Sequence, residues 1–325
     1  MNPALFLGLL APLAAVAPAA SPVATGEVRC ACDDERCGVP EPFRLADHTF
    51  PYQQQLRYDL EYSGVEVYTV RFPSPVESPH AANNTVHAEY FRPKGAAGKV
   101  PAVVVLDILQ GNALVSRGAA MWLAQNGIAA LAITMPYYGP RRPTEGRHRM
   151  LTTDVEASVA NVRQTVLDGR RAVAWLAARP EVDADRIGVV GTSLGSFMGG
   201  LLAAAEPRVR SACLLLGGGG LVDAFYQHPK TQWLTVALLA VGVTKEKLQR
   251  QIAPVDPLTY ADRLKGKKLL LIGASRDDIV PPEAMRRLWE ATGKPKIVWL
   301  DATHVGAAAH VFTAMNAIIA HLKEK

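Results

Sequence analysis

The first 20 residues carry no charged side chain, and no apolar run in the body of the chain reaches the roughly 20 residues needed to cross a bilayer. No segment repeats at a fixed period, which excludes collagen, coiled coil and short repeat arrays. Basic residues form no long stripe interleaved with aromatics, as a nucleic-acid groove requires. The densest group, Arg141, Arg142, Arg147 and Arg149, lies in one Pro/Gly-rich loop. The net charge of +5 therefore reads as a mild solubility bias. What is present is apolar bulk: 49% hydrophobic against 20% charged residues over 325 positions. That share fills one sizeable core and excludes general disorder.

Ala4 to Ala20 is apolar throughout, is interrupted by Pro12 and Pro18, and ends in the small-residue run Ala17-Pro18-Ala19. Residues 1–20 are expected to be a signal peptide cleaved near Ala19 or Ala20, although only the α-amino group is positive near the start. Export to a periplasmic or secreted location follows, with an uncleaved anchor as the other reading. Cys30, Cys32 and Cys37 cluster just beyond. In an exported protein they would form one disulfide and leave one thiol over. A zinc site would need a fourth ligand that does not follow at the usual spacing. Cys213, in the apolar run Ala212–Leu216, reads as an inert core thiol.

Residues 21–64 are polar and Pro-bearing, and are expected to be an irregular N-terminal extension. From Val65 the pattern becomes regular. Val65–Phe72 and Thr85–Phe91 alternate as antiparallel strands. Ala102–Leu106 reads as a fully buried strand, Ala113–Asn126 as a helix and Ile128–Met135 as a strand. Asp154–Arg179 is a long helix, followed by the strand Ile187–Gly191, the helix Gly195–Ala205 and the strand Ala212–Leu216. Leu269–Gly273, Pro282–Thr292, Lys296–Leu300 and Ala307–Lys323 continue as strand, helix, strand and helix. Strands separated by helices of this length predict an α/β fold: a mostly parallel sheet covered by helices on both faces. Residues 221–264 break the alternation with two helical patterns, Trp233–Val243 and Lys245–Ile252, and are expected to form a small helical lid.

In such sheets functional residues gather beyond the carboxyl ends of the strands. There the strand Ile187–Val190 runs into Gly191-Thr192-Ser193-Leu194-Gly195, a G-x-S-x-G turn between strand and helix. The serine in such a turn is strained, and side chains at the flanking positions would collide with strand and helix. A serine hydroxyl needs a base, and the base needs an acid to hold its tautomer. Asp277 and Asp278 follow the strand Leu269–Gly273, and His304 follows the strand Lys296–Leu300. This is the chain order Ser, Asp, His. His310 and His321 fall inside the last helix and read as surface or packing residues.

On Gly191–Gly195, on Asp277-Asp278-Ile279-Val280-Pro281 and on His304, residues 65–325 resemble the α/β-hydrolase superfamily. The resemblance is to its dienelactone hydrolase and acyl-esterase-like branch, and it implies an α/β-hydrolase catalytic domain over these residues. It also implies a Ser193–His304–Asp277 triad that cleaves carboxylic esters without metal or organic cofactor, with Asp277 at the first position of D-x-x-V-P. The oxyanion would be held by the backbone N–H groups of Leu194 and Leu109 (or Ile108). Where the family usually has His-Gly, this chain has Asp107, whose carboxylate is expected to turn away toward backbone or an arginine. Some relatives share a pattern like Tyr137-Tyr138-Gly139-Pro140-Arg141-Arg142. Tyr137 and Tyr138 are therefore expected as pocket walls and Arg142 as a carboxylate clamp, against a rigid loop whose arginines pair with surface acids. Two further readings stand beside the esterase: a prolyl-oligopeptidase-like serine peptidase, and a non-catalytic binding protein that kept the fold.

Overall fold

Residues 24–60, expected to be irregular, form two long strands, β1 (Ala24–Cys30) and β2 (His48–Leu60). The correction has a physical cause. Along β2 only Phe50 is fully buried, and polar side chains such as Gln53, Gln54 and Arg57 occupy both faces. The period-two signal of a half-buried strand is therefore absent, and backbone pairing with both neighbours forms the strand instead. In this computed structural model the described residues are 21–31, 33–109, 111–226 and 243–324.

Among the described residues, ten strands make one sheet in the order β1-β2-β3-β4-β6-β5-β7-β8-β9-β10. The strands β3 (Val65–Pro73) and β4 (Thr85–Pro93) continue the antiparallel half. From β5 (Val100–Leu106) and β6 (Ala129–Ile133) onward the pairing turns parallel. It continues through β7 (Val182–Thr192), β8 (Val209–Leu215), β9 (Lys268–Ala274) and β10 (Lys296–Leu300). All seven residues of β5 are buried, because helices cover both faces of the central sheet. Helix α1 (Leu114–Gln125) and the closing helix Val311–Lys323 pack on one face. Helices α2 (Val155–Ala177), α3 (Leu194–Ala205) and the helix Pro282–Ala291 pack on the other. Asp154 caps α2 by accepting the Ala157 N–H at 3.1 Å.

Within 221–264, the helix Lys245–Ile252 forms as expected. The chain that follows runs alongside α3, where Pro257 lies against Gly200 and Arg263 donates to the Ala204 carbonyl at 2.6 Å. Most of the expected helix Trp233–Val243 lies outside the described residues, as do residues 1–20 and Cys32. Cys30 is buried at the end of β1, Cys37 is exposed, and Cys213 is buried in β8, where burial pushes its thiol up.

A buried ionic cluster ties the N-terminal strands to the helical layer. Arg170 on α2 donates to both Asp34 oxygens (2.6 and 2.7 Å), to the Phe43 carbonyl (2.7 Å) and to Glu206 (3.0 Å). Arg208 also donates to Glu206, at 2.7 Å. Burial alone would raise both carboxyls, but the hydrogen bonds from Arg170 hold Asp34, and those from Arg208 hold Glu206, below the ordinary range. A lowered carboxyl contributes stability that is complete above its unfolded value, about pH 4, and is lost as pH falls through the folded value. Arg170→Met leaves Asp34 without its guanidinium and should cost about 3–5 kcal/mol in urea melts at neutral pH. The variant should also lose less stability on acidification than the parent. An unchanged midpoint would remove the cluster from the account of the fold.

Candidate active site

The strand register brings three loops to one edge of the sheet. Leu106 of β5 pairs with Gly191 of β7, so the loop 107–113 starts level with the Gly191–Gly195 turn. Leu300 of β10 pairs with Ala274 of β9, so the loops carrying Asp277 and His304 start side by side. Those two loops are joined by backbone bonds from Ser275 to Leu300 (2.8 Å) and from Arg276 to Ala302 (3.0 Å). The Arg276–Asp301 ion pair, at 2.9 Å, adds a side-chain link.

Ser193 sits between β7 and α3 at φ 53°, ψ −117°, a conformation that side chains rarely adopt. It is held there by its N–H bond to the Leu215 carbonyl at 2.8 Å. Both flanking glycines are required by space. A Cβ on Gly191 would overlap the Gly195 carbonyl oxygen, and one on Gly195 would overlap the Leu106 carbonyl oxygen. The strained turn leaves the Ser193 hydroxyl facing His304, 2.9 Å from Nε2. On the far side of the ring, Nδ1 lies 2.8 and 3.0 Å from the two oxygens of Asp277. Asp277 is buried, and its Oδ1 also accepts the N–H groups of Ile279 (3.0 Å) and Val280 (2.8 Å). Asp278 serves the backbone instead, its Oδ1 accepting the His304 N–H at 3.3 Å.

The donors around Ser193 sort in the same way. Asp107 turns onto backbone, its two oxygens accepting the N–H groups of Ile108 and Ala113, each at 2.9 Å. The Ile108 N–H is thereby committed. The N–H groups of Leu109 and Leu194 have no hydrogen-bond partner among the described residues. Leu194 opens α3, whose first turn contains no acidic residue, so its N–H belongs to the positive end of a helix.

Two cavities adjoin the loop 107–113. One of about 620 Å³ is walled by Asp107, Gly111 and the start of α1, with Arg71 and His87 of β3 and β4 opposite each other on its floor. Burial, and beyond it the charge of Arg71, holds His87 below its ordinary value. A second cavity, of about 470 Å³, reaches Leu109 and the loop 146–151. Tyr138 and Arg142 line both cavities. Arg142 donates to the Tyr137 carbonyl at 3.2 Å.

Tyr137 departs from the expected role of pocket wall. Its ring stacks on His148 and meets His80 edge-on, and it lines neither cavity. Arg141 is fully buried against Asp168, an arrangement that differs from both readings of the loop arginines. The role of Asp168 as the buried partner of Arg141 had no motif to mark it, since it depends on what the fold brings alongside. Among the described residues, no group of three or more His, Cys, Asp or Glu is placed to hold a metal ion. No described helix is long and apolar enough to cross a membrane.

A model of the dienelactone hydrolase family matches residues 86–324. Among solved structures, the chain is similar to an acetyl xylan esterase from Paenibacillus sp. R4, with 22% identity and a TM-score of 0.66 over 83% of this chain and 88% of that one. Acetyl xylan esterase 1 from Thermoanaerobacterium sp. JW/SL YS485 gives 20% identity and a TM-score of 0.60 over 83% and 88%. An esterase of Pyrococcus furiosus gives 18% and 0.57 over 82% and 94%. At these identities the likeness is one of fold. Two uncharacterized proteins of Mycobacterium tuberculosis are 28% identical over 181 residues, 55% of this chain. The match spans 43% of their length, less than half of these curated relatives.

Proposed function

The chain belongs to the dienelactone hydrolase family and has the α/β-hydrolase fold, and from that premise we propose that it is a carboxylic ester hydrolase working through Ser193, His304 and Asp277. The observation that carries this reading is the unbroken hydrogen-bond chain Asp277–His304–Ser193 at the carboxyl edge of the sheet. Asp277 accepts the Nδ1–H of His304, which leaves the Nε2 lone pair facing the Ser193 hydroxyl. His304 takes the hydroxyl proton as Oγ attacks the ester carbonyl. The tetrahedral oxyanion is received by the uncommitted N–H groups of Leu109 and Leu194, dipoles already in place before charge develops. His304 then gives its proton to the leaving alcohol, and an acyl group remains on Ser193. Water, deprotonated by the same imidazole, attacks the acyl carbon, and the acid and free serine are released.

Leu109, one of these two N–H donors, lines the cavity of about 470 Å³ together with Tyr138 and Arg142, and that shared wall supports reading this cavity as the space for the rest of the substrate. The apolar run Ala4–Ala20, in a stretch without charged side chains, supports export as the setting.

A fluorophosphonate probe tests the reading. It should label the protein at Ser193, and 4-nitrophenyl esters should be hydrolysed in preference to chromogenic peptides. Peptide cleavage without ester cleavage would favour the peptidase reading. A folded protein that takes no label at Ser193 would be a scaffold that has lost its chemistry.

A further inference from the structure

Arg141 and Asp168 are both fully buried, a placement that destabilises a fold unless the pair's donors and acceptors are met. Their contacts converge on one turn. Nη1 of Arg141 donates to Asp168 on α2 (2.8 Å) and to the Thr134 carbonyl just past β6 (2.9 Å). Nε and Nη2 donate to the Asn83 carbonyl at 3.2 and 2.8 Å. Ser74 donates to the other oxygen of Asp168 at 2.6 Å. The Asn83 side chain, also buried, donates to Gln164 (2.9 Å) and accepts the Tyr137 N–H (3.2 Å).

Tyr137 is thereby held at φ 63°, a left-handed conformation that an aromatic residue resists without outside support. The residues that follow, Tyr138 and Arg142, turn toward the two cavities beside the loop 107–113. The hydrogen bonds of the pair thus tie both ends of the turn, Thr134 before it and Arg141 at its close, to α2 and to Asn83.

The geometry points to Arg141 and Asp168, together with Asn83, as positioning residues that set which ester groups the pocket accepts, by fixing the turn Tyr137–Arg142. They touch no reacting atom. The inference rests on the ester-hydrolase reading above and deepens it to substrate selection.

The test compares the parent with Arg141→Met/Asp168→Leu, which removes both charges so that neither is left buried alone, and with Arg141→Lys. Lysine offers three donors on one atom in place of the planar fork that makes four bonds here, so it cannot reproduce the paired contact of Nε and Nη2 with the Asn83 carbonyl. For 4-nitrophenyl acetate and 4-nitrophenyl octanoate, kcat and KM are measured where circular dichroism shows each protein folded, beside the rate of fluorophosphonate labelling.

The ratio of kcat/KM between the two esters should shift about tenfold or more in the double variant, through KM. Arg141→Lys should shift it in the same direction by less. Labelling and kcat for the acetate should stay within about threefold. In a Tyr138→Ala background, the Arg141 change should move the ratio less, because one of the two cavity side chains that the turn positions is gone. An unchanged ratio in variants that only melt earlier would make the pair a structural strut and overturn the inference. A fall in labelling and in both esters alike would also overturn it, by placing the effect at Ser193. Should the double variant not fold, Arg141→Lys decides alone. Failure of the parent to label would sink the hydrolase reading itself, which keeps the two failures distinct.

Discussion

Replacing Ser193 by alanine should lower kcat for 4-nitrophenyl acetate by at least about 10³-fold, and toward 10⁶-fold where no other nucleophile substitutes. The variant removes one atom, the Oγ that lies 2.9 Å from His304 Nε2. It leaves the Leu109 and Leu194 N–H groups in place, so any residual rate measures what oxyanion binding achieves without a nucleophile. The fold should be nearly untouched. Alanine keeps the Cβ, takes the same φ of 53°, and retains the backbone bond to the Leu215 carbonyl at 2.8 Å. A thermal melt within a few degrees of the parent would therefore accompany the loss of turnover. A folded variant with parental kcat would remove Ser193 from the mechanism.

Asp277→Asn should cost about 10⁴-fold in kcat/KM, whereas Asp278→Asn should cost less than about tenfold. The local hydrogen bonds supply the reason. At position 277, Oδ1 accepts two backbone N–H groups, from Ile279 and Val280. An asparagine there keeps its carbonyl oxygen on those donors and so turns its NH₂ toward His304 Nδ1. The imidazole must then protonate at Nε2, which presents an N–H instead of a lone pair to the Ser193 hydroxyl. At position 278 the carboxylate serves the His304 backbone N–H at 3.3 Å, and an amide oxygen can do the same. Steady-state kinetics of both variants, with circular dichroism as the folding control, separate the two aspartates. Equal losses would mean that Asp277 has no special claim on the imidazole.

Much of this architecture is legible in the letters. The central strands of the parallel half read clearly because they are buried on both faces and stand out as short apolar runs. The run Val100–Leu106 and the Lys296–Leu300 strand end within two residues of their expected limits. The antiparallel β1 and β2 were not legible: β1 buries only Val28 and Cys30, too short a signal, and β2 carries polar side chains on both faces and so shows no hydrophobic period. The closing helix was expected as one piece from Ala307. Its first turn is 3₁₀, over Gly306–His310, before the α-helix begins at Val311.

The loop Tyr137–Arg142 shows the boundary most sharply. Its composition marked a rigid, arginine-bearing turn, yet which arginine is buried and which faces a cavity is settled by Asp168 on α2 and Asn83 before β4. Neither partner is near Arg141 in the chain.

What the sequence determined alone is local. A strand, a glycine-flanked serine turn and a helix specify a strained serine, and the strand ends specify where acids and a histidine can gather. What the tertiary structure decided is selection among chemically equal candidates: Asp277 over Asp278 beside the imidazole, the Ile108 N–H bonded and that of Leu109 left open among the described residues, Arg142 over Arg141 at the cavities. Such choices turn on distances of about 3 Å between residues far apart in the chain, and only the register of the sheet and the packing of its helices set those distances.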